Sequence, residues 1–316
     1  MRITNHSNTL VSVIIPTYNR SKEYLKTAID SIVNQENCFA EIIIVDDNGV
    51  DSIFADEIKN LIAKYKNNNI KLTINEENKG GAISRNIGVK IANSKYVTFL
   101  DDDDIYLPNK LNNQIDFMEK ENLDMSFGDL IIKDEKEIVV DYRSFDNLNT
   151  KDNKKLMVYH LKHNLTGTPT FMLTKKAFEE IGGFDDVKMG QEFYLMYKAI
   201  KGNLKIGYLK EANVIAYRHT DGGISFGINK IEGEQKLFKF KMEHEDILSK
   251  KDIRYIKFRH NVVMAIAYKR NSNYFKFLIR SLKSALFYPI YTTKEVFKKI
   301  RNIKKIKEKR NLNDII

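Results

Sequence analysis

Four consecutive aspartates, Asp101–Asp104, follow a short apolar run and constrain this chain more than any other stretch. Four like charges side by side repel one another, so a folded protein tolerates them only in solvent or around a bound cation. Carboxylate oxygens suit the hard cations Mg²⁺ and Mn²⁺, which usually bind one or two of them together with substrate phosphates. The run therefore indicates either an acidic surface turn or a metal–phosphate site at the end of a strand.

Apolar strands alternate with amphipathic helices ahead of the aspartates. We predict strands at 11–15, 41–45, 70–74 and 95–100, with helices at 21–35 and 53–65 and a third after Gly81. Near-continuous apolar strands joined by helices are typical of a mostly parallel sheet that is covered on both faces. The pattern predicts an α/β fold.

Three of these strands end in polar residues, at Pro16–Asn19, Asp46–Asn48 and Asp101–Asp104. In open α/β sheets, ligands bind outside the carboxyl ends of the strands. Three polar clusters at equivalent strand ends should converge on one site. This convergence favours a ligand site over an acidic surface turn.

Composition limits the class of protein. Apolar residues make up 42% of the 316 residues, enough for a large core, and the formal net charge is +10. That charge suits nucleic acid, an anionic membrane or a phosphorylated substrate, without choosing among them. The single Cys38 excludes an intrachain disulfide and fits a reducing cytosol. No apolar run approaches the roughly 20 residues of a membrane-spanning helix, and Met1–Leu10 lacks a signal-peptide core, so we expect a soluble cytoplasmic protein.

The second half of the chain mixes further strands and helices. We predict a helix after Pro108, a strand at 123–127, a hairpin of 130–133 with 137–142, a helix ending near His163, a helix to about Ile200, and short strands at 204–209 and 214–217. From about Ile228 the sequence becomes helical, Lys-rich and aromatic. We therefore divide the chain into one domain over residues 1–227 and a helical, basic C-terminal subdomain over 228–316.

Five short motifs occur in a fixed order along the chain. They are Val11–Arg20, Asp46-Asp47, Asn78-x-Gly80 with Arg85-Asn86-x-Gly88, Leu100-Asp101-x-Asp103-Asp104, and Ile181–Asp185. Together they resemble family 2 glycosyltransferases of the GT-A fold, of the bacterial surface-polysaccharide type, over roughly residues 10–226. The resemblance implies a Rossmann-like, mostly parallel sheet and an inverting transferase. It also implies a nucleotide-sugar donor, most often a UDP-sugar, and Mn²⁺ or Mg²⁺ as cofactor.

The resemblance assigns roles to the strand-end residues. It implies Asp103 and Asp101 as metal ligands and Asp102 as a ribose or bridging contact. The residues implied to frame the base and ribose are Pro16, Thr17, Tyr18, Asn19, Asp46 and Asp47. Arg85 is implied near the diphosphate or uracil; otherwise it would be a surface arginine paired with a carboxylate, just as Tyr18 could simply pack on the sheet edge. A metal on the diphosphate would stabilise the charge of the leaving group.

Inversion also requires a general base for the acceptor hydroxyl. Relatives place an Asp after a Glu at a helix start, and the corresponding residues here are Glu192 and Gln191. The resemblance thus implies Glu192 as the base, with Gln191 on the acceptor side. The longer Glu side chain departs from the family pattern and would shift the acceptor, and rates are sensitive to such shifts. Alternatively, Glu192 only benefits from the helix dipole at a helix N-terminus.

A histidine and a turn complete the implied site. Some relatives carry a His at the position of His219 that reaches the metal or diphosphate when a loop closes, although a lone His is more often structural. Gly222 and Gly223 would provide the hinge of such a lid. Thr168 and Pro169 are expected to line the acceptor side.

The last stretch, residues 294–310, concentrates lysine and arginine among apolar residues at helical spacing. This combination suits an interfacial helix on an anionic membrane. A solvated end helix packed on the subdomain fits the pattern equally well. Membrane contact would suit a lipid-linked saccharide acceptor, as in capsule, O-antigen or teichoic-acid assembly.

These features favour a metal-dependent inverting glycosyltransferase of EC class 2.4, cytoplasmic and peripheral to the inner face of the cell membrane. Its expected partners are a nucleotide-sugar donor, a saccharide or lipid-linked acceptor and an anionic membrane surface, and no nucleic acid. The alternatives are an inactive sugar-nucleotide-binding protein, a nucleotidyltransferase and a nucleic-acid-binding protein. Pro16–Asn19 is not the glycine-rich loop of a nucleotidyltransferase, and no nucleic-acid-binding motif occurs.

Overall fold

The computed structural model describes residues 10–65, 69–145, 148–165, 167–219 and 227–293 of the chain. Within these ranges one sheet contains β1 (Val11–Thr17), β2 (Ala40–Asp46), β3 (Ile70–Ile74), β4 (Tyr96–Phe99), β5 (Ile105–Tyr106), β6 (Met125–Asp134), β7 (Val139–Arg143), β8 (Met172–Thr174) and β9 (Ile206–Arg218). The helices are α1 (Lys22–Val33), α2 (Ile53–Ile62), α3 (Gly81–Ile91), α4 (Lys110–Lys120), α5 (Asn153–His163), α6 (Lys175–Glu180), α7 (Gln191–Lys201), α8 (Gly227–Met242), α9 (Lys250–Arg270) and α10 (Tyr274–Phe287).

The half of the sheet that leads to the aspartates is parallel. β1 lies between β2 and β4, and β3 pairs with the outer side of β2. Beyond β4 the order continues β8, β6, β9, β5 with mixed parallel and antiparallel pairs, and β7 pairs with β6. The α/β class is confirmed, and the carboxyl ends of β1, β2 and β4 lie along one edge of the sheet.

Side chains along β1 alternate between two hydrophobic cores. Val13 and Ile15 pack with residues of α1, α2 and α4, whereas Ile14 belongs to the core that contains α3, α5 and α7. Each fully buried aliphatic side chain of this size contributes about 1.5–3 kcal/mol. Gly88 brings α3 against β1, since a Cβ there would lie only 2.4 Å from Ile14 Cγ2. Both faces of the parallel half are therefore covered, as the apolar strands predicted.

Serines begin the first two helices. The side chains of Ser21 and Ser52 accept the backbone N–H two residues further on, which satisfies groups that a helix start leaves unpaired. Helices α3 and α7 begin differently, after Gly80 at φ 82° and Gly190 at φ 81°. Glycine adopts this left-handed conformation without steric cost, so the chain turns sharply before both helices. These two helices carry three of the predicted site residues, Arg85, Gln191 and Glu192.

The structure corrects the prediction of two short strands at 204–209 and 214–217. They form the single strand β9, and the polar residues Lys210 and Glu211 between them are exposed. The pairing with β6 changes register near Gly128, where the backbone of Glu211 comes so close that a Cβ would lie 3.0 Å from its carbonyl oxygen. A β-bulge accommodates the polar residues that we interpreted as a break between two strands. The short elements β5 and α6 were not predicted.

Helices α8, α9 and α10 follow the sheet and pack against one another. The division into domains at residue 227 stays a prediction. Residues 294–310, which fit either an interfacial helix or a solvated end helix, lie outside the described residues, as do Gly222 and Gly223, which we predict to form the hinge of a lid. Among the helices within the described ranges, none combines the length and apolar character needed to cross a bilayer.

Candidate active site

The three polar strand ends meet. The backbone N–H of Asp47, after β2, donates to the carbonyl of Thr17 at the end of β1 over 2.9 Å. The Thr17 hydroxyl in turn donates to Asp102 Oδ2, after β4, over 2.7 Å. Because Thr17 is buried and contacts both neighbours, it fixes the spacing between the two acidic loops. The expected convergence is confirmed.

The four aspartates lie in unequal environments. Asp102 and Asp104 are buried, whereas the Asp101 side chain is 37% exposed. Burial raises the pKa of Asp102 to about 6. Burial also raises the pKa of Asp103, and neighbouring Asp101 adds to this effect against the opposing charge of Arg20. Burial thus makes the ionised form of these carboxylates costly, so a further cation beside them would be stabilising.

Asp104 is the aspartate most closely tied to the fold. Its Oδ1 accepts the backbone N–H of Tyr217 on β9 over 3.0 Å, and its own N–H donates to the carbonyl of Asp101 over 3.1 Å. Burial, with the charges of Asp101 and Asp103, raises the pKa of Asp104 well above its ordinary value. Asp104 therefore anchors the loop to β9, the strand that directly precedes the predicted site residue His219.

Arg20 and Arg85 approach the aspartates from different elements. Arg20, after β1, places Nη2 2.8 Å from Asp103 Oδ2 and Nε 3.4 Å from Asp102 Oδ1. Arg85, on α3, forms an ion pair with Asp101. Opposite charges within hydrogen-bonding range favour the ionised carboxylates. Arg85 is thus paired with a carboxylate but is buried rather than a surface residue.

His219 lies between two carboxylates. Its Nε2 is 3.1 Å from Asp103 Oδ2, and its Nδ1 is 3.3 Å from Glu135 Oε1. The ring packs edge-on against Tyr24, with centroids 5.3 Å apart. A carboxylate at Nδ1 holds the proton there and leaves the Nε2 lone pair free for a metal, as is common for histidine ligands. Within the described ranges, the buried Nε2 makes no hydrogen bond of good geometry.

Asp103 and His219 therefore fit a divalent cation, with Asp101 nearby but engaged by Arg85. No group of three or more His, Cys, Asp or Glu side chains in the described parts of the chain is arranged to hold a metal by itself. Mg²⁺ and Mn²⁺ commonly take one or two protein ligands and complete their shell with substrate phosphates. The donor set suits a metal that arrives with a phosphorylated ligand.

The end of β2 carries a buried carboxylate with spare hydrogen-bonding capacity. Asp46 is fully buried; its Oδ1 accepts the Asn48 backbone N–H (3.0 Å) and side-chain amide (2.7 Å). Its Oδ2 has no hydrogen-bond partner within the described ranges. Asn48 Oδ1 accepts the N–H of Asn19, which adopts φ 48°. A buried unpaired carboxylate oxygen is costly unless a ligand supplies a donor.

The other predicted donor residues at this edge differ in exposure. Tyr18 is 54% exposed, so its ring is available to a ligand rather than packed in the sheet. Pro16 is half-buried within β1 and pairs in register with Val45 of β2. Together with Asn19, they form the rim of the edge beside Asp46.

Asp47 is occupied by the protein itself. Its Oδ1 accepts the Asn75 side-chain amide over 2.6 Å and the Lys79 N–H over 2.8 Å, and its Oδ2 accepts the Gly80 N–H over 2.8 Å. These bonds hold the turn that leads into α3. Asp47 thus positions Arg85 by fixing the start of α3. This role does not depend on a contact with a sugar nucleotide.

A hydrogen-bonded chain joins the aspartates to the start of α7. Arg85 contacts Asp101 with one terminal nitrogen and donates with the other to Gln191 Oε1 over 2.8 Å. Gln191 also donates to the carbonyl of Val187 over 3.1 Å. Glu192 is the next residue and is half-buried. The predicted general base is therefore linked, through its neighbour, to the acidic loop.

The Phe184 ring packs against Arg85, the central residue of these hydrogen bonds. The guanidinium of Arg85 lies 5.5 Å from the centroid of the Phe184 ring. Asn86 fixes the backbone of Phe184 with two hydrogen bonds, of 2.8 Å and 2.9 Å. Gly183, at φ 59°, leaves the space that Asn86 needs, since a Cβ would lie 2.6 Å from Asn86 Oδ1. The motif Ile181–Asp185 is thus a platform under Arg85.

Thr168 and Pro169 lie in a buried 3₁₀ turn, Thr168–Thr170, that packs against β4 and β6. Burial leaves them little surface for an acceptor, and their assignment to the acceptor side stays a prediction. Sequence reasoning did not single out Arg20 or Glu135. Four adjacent carboxylates require cations nearby, which is a sequence signal for Arg20. The sequence gives no such signal for Glu135, because its contact with His219 depends on how the distant hairpin of β6 and β7 folds.

The chain that carries these features is similar to known glycosyltransferases. The family described as "Glycosyl transferase family 2" matches residues 12–182, more than half of the 316 residues. An uncharacterised glycosyltransferase of Methanocaldococcus jannaschii is 32% identical over 203 residues, 64% of this chain and 68% of that protein. The Escherichia coli UDP-Glc:alpha-D-GlcNAc-diphosphoundecaprenol beta-1,3-glucosyltransferase WfgD is 34% identical over 130 residues, 41% of this chain. The matched region spans only 49% of WfgD's length.

Solved structures share the fold. S. aureus TarS 1-349 in complex with UDP-GlcNAc superposes with a TM-score of 0.55 at 21% identity, covering 86% of this chain and 72% of TarS 1-349. A mannosyltransferase from Pyrobaculum calidifontis in complex with GDP-Man and Mn²⁺ gives 0.57 at 14% identity, covering 91% of this chain and 83% of its own. At this identity the likeness concerns the fold, and it confirms the predicted GT-A architecture.

The contacts of Asp47 generate a stability prediction. Asp47→Asn should lower the free energy of unfolding by about 1–3 kcal/mol without any ligand, because the amide group cannot accept from all three donors. Urea unfolding of the variant against Asp51→Asn, an exposed neighbour, measures this. Unchanged stability with lost nucleotide binding would instead make Asp47 a donor contact.

Proposed function

The chain belongs to glycosyltransferase family 2, and on that premise we propose that it is a metal-dependent inverting enzyme. The proposed donor is a UDP-sugar, and the proposed acceptor is a saccharide that is lipid-linked. One observation carries the proposal: within the described residues, the edge of the sheet combines an unpaired buried oxygen of Asp46 with the buried carboxylates around Asp103. The first suits the N–H or hydroxyl of a nucleoside, and the second suits a metal on its diphosphate.

The relatives support the choice of donor and acceptor. WfgD is named for a UDP-glucose donor and a diphosphoundecaprenol-linked acceptor, and TarS was solved with UDP-GlcNAc. Tyr18 and Asp46 are proposed to frame the base and ribose, with Thr17 holding Asp102 towards the ribose. These contacts would orient the donor before reaction, which removes part of the entropic barrier.

Asp103 and His219 are the residues proposed to hold Mn²⁺ or Mg²⁺. The bound cation supplies positive charge beside the leaving diphosphate. Arg85 adds a second positive charge beside Asp101. Its guanidinium packs against the Phe184 ring, which holds it in place while negative charge develops on the leaving diphosphate. Donors and charges fixed in advance stabilise a transition state without reorganisation.

Glu192 is proposed as the general base. It accepts the proton of the acceptor hydroxyl while that oxygen bonds to the anomeric carbon of the donor sugar. The bond from this carbon to the diphosphate breaks on the opposite face, which inverts the configuration. The contact between Gln191 and Arg85 supports this assignment, since it links the start of α7 to the loop that would bind the diphosphate.

A change at Glu192 tests the enzymatic proposal. Glu192→Gln should retain binding of the donor but lower the rate of UDP release from a UDP-sugar by about 10² or more, the usual contribution of a general base. Calorimetry of UDP with Mn²⁺ and a coupled UDP-release assay across UDP-sugars measure the two effects. Glu180→Gln, an exposed carboxylate, is the control.

Two outcomes contradict this assignment. Full activity in Glu192→Gln would place the base elsewhere. Donor binding without turnover in the unchanged protein, with every UDP-sugar and with lipid-linked acceptors present, would favour an inactive sugar-nucleotide-binding protein.

We also propose contact with an anionic membrane, and α10 supports it within the described chain. Its apolar residues Phe275, Leu278, Leu282 and Leu286 are 75%, 55%, 56% and 72% exposed. They recur at helical spacing on one side of the helix, while Ser284 faces the protein. Lysine and arginine residues on the same helix suit anionic headgroups. A lipid-linked acceptor would be reached from this surface.

Removal of the exposed apolar face should weaken membrane binding. Leu282→Ser with Leu286→Ser should reduce partitioning onto phosphatidylglycerol vesicles at least tenfold, because both side chains lose their burial in the interface. Sedimentation with vesicles measures it, and Ile53→Ser is the control because Ile53 on α2 is 79% exposed. Equal partitioning of the double variant and the unchanged protein would remove α10 from the membrane surface.

A further inference from the structure

Arg20 contacts the carboxylate that we propose as a metal ligand. Its Nη2 is 2.8 Å from Asp103 Oδ2, and its Nε is 3.4 Å from Asp102 Oδ1. His219 Nε2 lies 3.1 Å from the same oxygen, Asp103 Oδ2. One carboxylate oxygen thus faces both the Arg20 guanidinium group and the imidazole of the second proposed metal ligand.

A divalent cation and Arg20 compete for this oxygen. A cation that binds Asp103 and His219 would use the carboxylate that Arg20 already contacts. Two positive groups on one oxygen repel each other, and the repulsion is stronger where little water lies between them. The Asp103 side chain is only 14% exposed, so solvent screens this repulsion weakly. Binding of the cation therefore requires Arg20 to leave Asp103.

The two arginines beside the aspartates differ in how firmly they are held. The Arg85 side chain is 10% exposed and is fixed by its ion pair with Asp101 and its hydrogen bond to Gln191. The Arg20 side chain is 35% exposed, and its guanidinium carbon lies 5.7 Å from the centroid of the Tyr24 ring. An aromatic face attracts a cation at this distance. Arg20 can therefore turn away from the acidic loop and still remain beside it.

The position of Arg20 in the chain indicates where the released guanidinium would go. Arg20 follows Tyr18 and Asn19 in the segment after β1. The Asn19 N–H donates to Asn48 Oδ1 over 2.6 Å, which holds this segment beside the proposed nucleoside contacts. The diphosphate of a nucleotide connects its nucleoside to the metal, and Arg20 spans the same interval, from Asn19 to Asp103. A guanidinium group binds phosphate oxygens with two parallel hydrogen bonds.

We propose that Arg20 exchanges partners when the donor binds. It pairs with Asp103 in the metal-free enzyme and passes to the donor diphosphate once a divalent cation binds Asp103. The exchange makes the binding of cation and nucleotide interdependent, because the cation releases Arg20 and the diphosphate gives it a new partner. This inference rests on the proposed glycosyltransferase function and deepens it, since it assigns to Arg20 the coupled loading of the same site.

A titration with Mn²⁺ in the absence of nucleotide tests the first half of the exchange. Arg20→Gln should bind Mn²⁺ about fivefold more tightly or better in electron paramagnetic resonance, because the guanidinium no longer competes for Asp103. The gain should persist at about 1 M KCl, where charges more than about 3 Å apart in solvent are screened. Lys22→Gln removes an exposed cation two residues away and should bind Mn²⁺ like the unchanged protein.

Nucleotide binding tests the second half, with the opposite sign. Calorimetry of UDP at saturating Mn²⁺ should show binding that is about fivefold weaker or more in Arg20→Gln, because the diphosphate loses a charged donor. Lys22→Gln should bind UDP like the unchanged protein. An arginine that only holds the acidic loop together would weaken the binding of both Mn²⁺ and UDP when it is replaced.

Thermal unfolding keeps the test informative if the substitution destabilises the protein. Arg20→Gln should melt at a lower temperature than the unchanged protein in EDTA, because Asp102 and Asp103 lose an ion pair. Mn²⁺ alone should then raise the melting temperature of Arg20→Gln by more than it raises that of the unchanged protein, since a ligand stabilises in proportion to the logarithm of its affinity.

The outcomes separate the exchange from the proposed function. Mn²⁺ binding in Arg20→Gln that is unchanged, weaker, or tighter only at low salt would overturn the exchange, as would an equal gain in Lys22→Gln. Unchanged UDP binding in Arg20→Gln would overturn the transfer of Arg20 to the diphosphate. Absence of UDP binding with Mn²⁺ in the unchanged protein would overturn the proposed function itself.

Discussion

The pairing of four adjacent carboxylates with side chains from three other parts of the chain is the interaction on which the site depends. Arg20 follows β1, Arg85 lies on α3, and His219 directly follows β9. None of them is near the aspartates in sequence, so the carboxylates gain these partners only when the whole sheet is in place. Folding and assembly of the site are therefore one event.

The same interaction links the two ends of the proposed reaction. Arg85 contacts Asp101 on one side and Gln191 on the other, so the loop for the donor and the helix for the base share one guanidinium group. Asp47 and the Phe184 platform hold that group in place from two directions. A shift of α3 would move both ends together, which keeps the base aligned with the donor.

Local pattern predicted the parallel half of the sheet and the place where its polar ends meet. Apolar strands, helices between them and polar strand ends are local signals, and the rule that ligands bind at the carboxyl ends needs no tertiary detail. The side chains around His219 were harder to predict, because its partner Glu135 lies 84 positions away in the sequence. The bulge that unites β9 is set by Gly128 on another strand, which a reading of residues 204–217 alone does not include.

A small polar cavity beside Lys241, lined also by Asn164, Glu234 and His260, shows the same limit. Its lining comes from α5, α8 and α9, and each lysine or arginine on these helices resembles a solvated residue in sequence. Only packing distinguishes Lys241, which is buried, from Lys239, which is exposed on the same helix. Family membership likewise indicates the class of reaction, but the family match covers residues 12–182 and does not include α8 and α9.

The central claim is that the acidic loop binds a metal together with a nucleoside diphosphate. Electron paramagnetic resonance of Mn²⁺ titrated with the protein, with and without UDP, tests it most directly. The account predicts at least tenfold tighter Mn²⁺ binding with UDP present, and loss of that gain in Asp103→Asn but not in Asp51→Asn. UDP binding that is equally strong in Mn²⁺ and in EDTA, or an unchanged gain in Asp103→Asn, would contradict it.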